Sequence, residues 1–173
     1  MHTPSRVVIF VRSLLLGIVL LGLWSWLVPS AFGFRVRPDF SYAQLRTIAG
    51  VVIAALGFAL WLACLVYFAF EGRGTLVPID APRRLVVGGP YRYVRNPMYL
   101  GVAIFLLGEA VAFADFNRGL LIYFACLTVV TALFVRFYEQ PTLRRLFGKD
   151  YEEYCTHVRG WVPSWRPWSA PHQ

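Results

Sequence analysis

Apolar residues come in four long runs along this chain, separated by shorter polar and basic segments. The first run extends from about Val7 to Val28 and the second from about Ile48 to Phe70. The third, from about Met98 to Phe113, is shorter, and the fourth goes from about Leu120 to Phe137. An α-helix rises about 1.5 Å per residue and a bilayer core is about 30 Å thick, so about 20 apolar residues cross it. The first two runs meet that length. The third reaches across only if its helix starts at the bilayer surface at Pro97, a residue suited to the first helical position because it has no N–H to leave unpaired. The first run is too long for a signal-peptide core, no small-residue cleavage site follows it, and Trp24 and Trp26 suit an interfacial belt. Arg12, near the start of that run, can snorkel to the interface. The pattern predicts an all-α integral membrane bundle of about four transmembrane helices. It reads as one membrane domain over residues 1–173, with an N-terminal helix pair in 1–70 and a functional core in 71–173.

The segment after Tyr138 changes period rather than dissolving into a tail. Pro141 can open a helix, and Leu143, Leu146 and Phe147 fall opposite Arg144 and Arg145. Gly148 ends that short helix, and Tyr151, Tyr154, Cys155 and Val158 then recur at helical spacing. A helical hairpin lying on the membrane surface is expected, followed by Trp161, Trp165 and Trp168 among prolines.

Composition agrees with this class. Of the 173 residues 58% are hydrophobic and 15% charged, and the net charge is +8. A soluble domain carries about 25% charged residues. The basic excess follows the loops. With four spans, one side holds Arg6, Arg73, Arg83, Arg84, Arg92, Arg95, Arg144, Arg145, Lys149, Arg159 and Arg166, whereas the other holds Arg35, Arg37, Arg46 and Arg118. The positive-inside rule puts the first side, with both termini, in the cytoplasm. That distribution makes nucleic acid an unexpected partner. Cys64, Cys126 and Cys155 form no CxxC pair and His2, His157 and His172 are scattered, so no disulfide framework or metal site is expected.

Two polar segments flank the last two runs and carry the candidate chemistry. The first is Gly88-Gly89-Pro90-Tyr91-Arg92-Tyr93-Val94-Arg95-Asn96-Pro97-Met98-Tyr99-Leu100-Gly101. Its glycines permit close backbone approach, and the helix opened at Pro97 presents unpaired N–H groups with a partial positive charge. Such an end can hold a carboxylate, and Tyr91, Tyr93 and Tyr99 offer flat faces to a purine or a sulfonium. A capped helix start inside an aromatic and arginine belt is the plainer alternative. The second segment is Arg136-Phe137-Tyr138-Glu139-Gln140-Pro141-Thr142-Leu143. Glu139, at the mouth of the last run, can accept hydrogen bonds from an amine or a ribose. Arg136, three residues earlier on the same helical face, can orient an anionic head or simply pair with Glu139. Glu109 stands inside the third run, where a carboxylate is costly. It either faces a working cavity and helps place a substrate or bonds to a neighbouring helix.

Arg95-Asn96-Pro97-Met98-Tyr99-Leu100-Gly101, then Tyr138-Glu139-Gln140-Pro141, then Leu143, Phe147-Gly148, Tyr151 and Tyr154 together resemble the isoprenylcysteine carboxyl methyltransferase and phospholipid methyltransferase superfamily. The likeness runs from about Arg83 to Pro163. It implies an integral membrane methyltransferase that binds S-adenosylmethionine at the cytoplasmic interface, expected in the inner membrane. It implies that Leu85, Val86, Tyr91, Asn96, Pro97, Met98, Tyr99 and Leu100 line the cofactor and that Glu139 closes the pocket. Arg95, Gly101 and Gln140 lie in the same two blocks and are carried with them. Arg136 falls close to a family arginine that faces the substrate, and with Glu139 it is the expected catalytic pair. The implied partner is a lipid or lipidated acceptor within the bilayer. Two departures matter. Gln140 replaces the second glutamate of the usual pair. Asn96 stands where the isoprenylcysteine branch has histidine, so the turn resembles the phospholipid branch while the Phe-Gly-x-x-Tyr-x-x-Tyr tail resembles the other. A membrane reductase using NADPH and a non-catalytic membrane scaffold are the competing functional readings.

Overall fold

The computed structural model describes residues 6–31, 45–72, 84–112 and 118–169. Arg35, Arg37, Arg73 and Arg83 of the charge pattern lie outside these. Among the described residues the regular structure is helical: α1 (Arg6–Gly22), α2 (Val28–Ala31), α3 (Leu45–Tyr67), α4 (Pro97–Ala112), α5 (Arg118–Phe134) and α6 (Gln140–His157). Three π-helical turns continue these helices, at Leu23–Leu27 after α1, Phe68–Gly72 after α3 and Val135–Glu139 between α5 and α6.

Three helical stretches are long and apolar enough to cross a membrane: Val7–Leu27, Leu45–Gly72 and Ile122–His157. The expected fourth is shorter. Helix α4 has 16 residues, about 24 Å at the α-helical rise, against a core of about 30 Å. The last expected run also continues further than its apolar residues do. Helix α5 passes through the π turn into α6 without stopping at Tyr138. The break comes at Gly148, with φ 51° and ψ −122°, a conformation only glycine adopts readily. The two halves of α6 meet across it: Leu143 and Phe147 pack against a cluster of Val87, Tyr151, Tyr154 and Val158. The hinge of the expected hairpin therefore falls where the sequence pattern puts it.

Four glycines carry the closest helix crossing. Gly50 and Gly57 lie on one face of α3, two turns apart, and Gly101 and Gly108 lie likewise on α4. A Cβ on Gly57 would stand 2.7 Å from the Gly101 carbonyl oxygen, and one on Gly50 would stand 2.7 Å from that of Gly108. Only hydrogen at these positions lets the two backbones touch. In lipid, where the hydrophobic effect does not press helices together, such contact is a main source of association. One and two turns further along α3 from Gly57, Trp61 and Leu65 pack with Leu21 of α1 and are flanked by Phe10 and Leu14 of α1 and by Met98 and Phe105 of α4. Helices α1, α3 and α4 thus share one core. Helix α5 is far less enclosed: Ile122, Val129, Val130 and Leu133 are all exposed, as lipid-facing residues should be. Near its start the Tyr123 hydroxyl donates to the Trp24 carbonyl at 3.0 Å, an acceptor in the π turn after α1.

Candidate active site

The end of α3 builds the floor of the site. The π turn there carries Glu71, whose carboxylate accepts the Gly88 N–H at 3.2 Å. The chain then turns through Gly89 at φ 53°, beneath the Tyr67 ring, into a single 3-10 turn, Gly89–Arg92. This turn buries Tyr91 beside Cys64 and Val86, with Met98 against the same cluster. Burial holds the Tyr91 phenol well above its ordinary range, so it stays protonated and neutral. The Tyr154 hydroxyl donates to the Tyr91 carbonyl at 2.7 Å and ties the turn to α6. Leu85 faces away from Val86, onto the Val87, Tyr151, Tyr154 and Val158 cluster.

The Arg-Asn-Pro segment follows. Asn96 and Pro97 are buried, and the Asn96 carbonyl accepts from Leu100 N–H at 3.2 Å, the first bond of α4. Helix α4 then presents Tyr99 and Leu100, both half-buried. The Tyr99 hydroxyl donates to Glu139 Oε2 at 2.6 Å. This bond spans forty positions of sequence and joins the two polar segments. Arg95 opens the same Arg-Asn-Pro segment. One of its terminal nitrogens, Nη1, donates to Cys155 Sγ, while its Nε is buried with no partner among the described residues. A buried guanidinium N–H without an acceptor is costly.

With this geometry in place, comparison decides the family. The phospholipid methyltransferase family matches residues 45–150, more than half of the chain. The chain belongs to that family. A search of curated proteins and one of solved structures gave no match. Three helical stretches of spanning length make this phospholipid methyltransferase family member an integral membrane protein. The matched residues begin with α3 and run into the second half of α6, so they take in the glycine crossing, the Arg-Asn-Pro turn and Glu139.

Not every expected site residue joins the cluster. Arg136 is exposed and does not share a face with Glu139. The reason is the π turn, in which each residue turns less about the axis than in an α-helix, so that residues three apart diverge. Glu109 lies ten residues beyond Tyr99, about 15 Å along α4. Its Oε2 is buried with no hydrogen-bond partner among the described residues, so it neither reaches the Tyr99–Glu139 pair nor bonds a neighbouring helix through that oxygen. Gly101 belongs to the helix crossing, against Trp61 and Gly57. Gln140 is half-buried beside Glu139 at the start of α6.

Several residues at the site escaped sequence reasoning. Glu71 carried one signal, an acid directly at the end of an apolar run. Tyr154 belonged to the motif, but nothing in the spacing pointed it at a backbone carbonyl. Trp161 gave no signal, and its ring centroid lies 6.4 Å from that of Tyr99.

Proposed function

We propose that this protein is an S-adenosylmethionine-dependent methyltransferase acting on a lipid or lipid-like acceptor at the cytoplasmic face of the membrane. The observation that carries the reading is the Tyr99–Glu139 hydrogen bond. It joins the first turn of α4 to the π turn that follows α5, the two segments the chemistry needs side by side.

The residues present suit the cofactor. The unpartnered Arg95 Nε offers a donor to a carboxylate such as that of the methionine moiety. Tyr99 supplies an aromatic face for the adenine or the sulfonium, and Met98 is its neighbour on α4. Glu139 balances positive charge beside them. When bound, S-adenosylmethionine supplies a methyl group on a positively charged sulfur, with the leaving group built in.

The protein's part is alignment, because the displacement is in-line and much of its rate comes from holding donor and acceptor on one axis. Tyr99 orients the Glu139 carboxylate by donating to one of its oxygens, which leaves the other free. For an amine acceptor, that carboxylate receives the proton lost as nitrogen is methylated. For a carboxylate acceptor no proton need move, and Glu139 serves only to bind. The match to the phospholipid family favours an amine. Sparse cover around α5 leaves lipid direct access to that helix. The count of basic residues supports a cytoplasmic site.

The test is direct. Purified protein is incubated with methyl-labelled S-adenosylmethionine and a membrane lipid extract, and the labelled product is identified. Label in a lipid amine or a lipid-linked carboxylate is expected. No transfer to any component by folded protein overturns the proposal.

A further inference from the structure

The family match stops at residue 150, yet the chain beyond it is built into the site. Residues 158–169 leave α6 and run back along the 92–96 segment, held by main-chain hydrogen bonds at both ends. Arg95 N–H donates to the Arg159 carbonyl at 2.9 Å and Asn96 N–H to that of Gly160 at 3.2 Å. Further on, Ser164 N–H donates to the Tyr93 carbonyl at 2.8 Å and Trp168 N–H to that of Arg92 at 3.0 Å. The Asn96 side chain commits its amide to the same Gly160 carbonyl at 3.0 Å. At the far end Arg92 Nε returns a bond to the Trp168 carbonyl at 2.9 Å. This strap is therefore fixed along its length to the turn that opens α4.

The strap delivers one side chain to the site. Trp161 follows the doubly bonded Gly160, so its backbone is anchored one residue away. Its ring lies against Tyr99, tilted at 44°. Tyr99 is thereby held between Trp161 on one side and Glu139, through its hydroxyl, on the other. A tyrosine on a helix beside lipid has a free alternative for its ring. Packing on an indole of fixed position removes it, because such an aromatic pair attracts beyond its buried area.

We propose that the strap is a working part of the site and that Trp161 is a positioning residue, holding the Tyr99 hydroxyl on Glu139. The inference assigns a function to a segment outside the family match. Its role in binding the nucleoside rests on the function proposed above; the placement of Tyr99 does not.

The experiment reads both. Trp161→Ala, Trp161→Leu and Trp161→Phe are made in the full chain, each alone and with Tyr99→Phe, and binding of S-adenosylhomocysteine is measured by calorimetry in detergent. Trp161→Ala and Trp161→Leu weaken binding at least fivefold, Trp161→Phe stays within twofold of wild type, and in the Tyr99→Phe background the loss at 161 shrinks below twofold. Full losses that multiply in the double variants overturn the proposal, as does wild-type affinity in both Trp161→Ala and Trp161→Leu. Should the wild-type protein bind no S-adenosylhomocysteine, the functional reading fails and a ligand-free readout decides on the strap. Fluorotyrosine is placed at position 99 and its fluorine resonance followed on Glu139→Gln. The resonance moves in the wild-type background, and in Trp161→Leu it moves by less than half as much. An equal movement in both backgrounds refutes the positioning role.

Discussion

Replacing Gly57 by alanine tests the packing on which the site is hung. Its added Cβ would lie 2.3 Å from Phe105 N and 2.7 Å from the Gly101 carbonyl oxygen. Both are backbone atoms of α4, so no side chain can swing aside. A carbon and a nitrogen or oxygen that do not bond rest at about 3.3 Å or more, so the helices must part locally by about 1 Å. Overpacking of this kind costs about 1–3 kcal/mol. In lipid no gain in buried apolar area offsets it. Gly22 supplies the control, because a Cβ there meets nothing within 4 Å. Reversible unfolding in mixed detergent micelles should show Gly57→Ala destabilised by about 1–3 kcal/mol and Gly22→Ala unchanged or slightly stabilised, as alanine is the better helix former. Since Tyr99 sits two residues before Gly101, Gly57→Ala should also weaken ligand binding at the site. Equal stabilities for the two variants would refute the glycine crossing as the origin of α3–α4 contact.

Three further outcomes follow from particular contacts. Glu109→Leu should stabilise the protein in the same unfolding assay, because it removes a buried carboxylate oxygen with no partner among the described residues, a group whose desolvation costs about 1–3 kcal/mol; a loss of stability would mean that Glu109 is bonded. Gly148→Ala should cost about 1–3 kcal/mol from backbone strain alone, since a Cβ there meets no atom within 4 Å; hydrogen exchange should show the loss confined to the two halves of α6. Tyr99→Phe should reduce methyl transfer about 10–150-fold, the range for losing a hydrogen bond to a charged group; turnover at the wild-type rate would leave that bond without a function.

The sequence displayed some of these features and concealed others for physical reasons. Long apolar runs announce membrane helices because lipid selects for apolar side chains all round, and the places of α1, α3 and α5 could be read from them. The short α4 was harder, because a run of its length does not distinguish a spanning helix from a partial one. Gly148 was legible as a helix end, since its positive φ is a local property. Gly50, Gly57, Gly101 and Gly108 were not legible as a crossing, because their meaning lies in a pairing between helices more than forty residues apart. At the site, the motif residues Asn96, Tyr99 and Glu139 were named from order along the chain and do lie close together. Arg136 shows the limit of that method. Its spacing from Glu139 implies one face of an α-helix, and a π turn rotates it away. Trp161 shows another, because a single aromatic among prolines carries no periodicity that would point it at Tyr99.

The proposed activity requires the paired Tyr99 and Glu139 to enclose a nucleoside. Calorimetric titration of S-adenosylhomocysteine into purified wild-type and Glu139→Ala protein, with thermal unfolding of each as a check on folding, addresses this most directly. Saturable binding by wild type and a loss of about tenfold or more in a folded Glu139→Ala protein are predicted. Equal affinity in the two proteins, or no binding by folded wild type, would contradict the account.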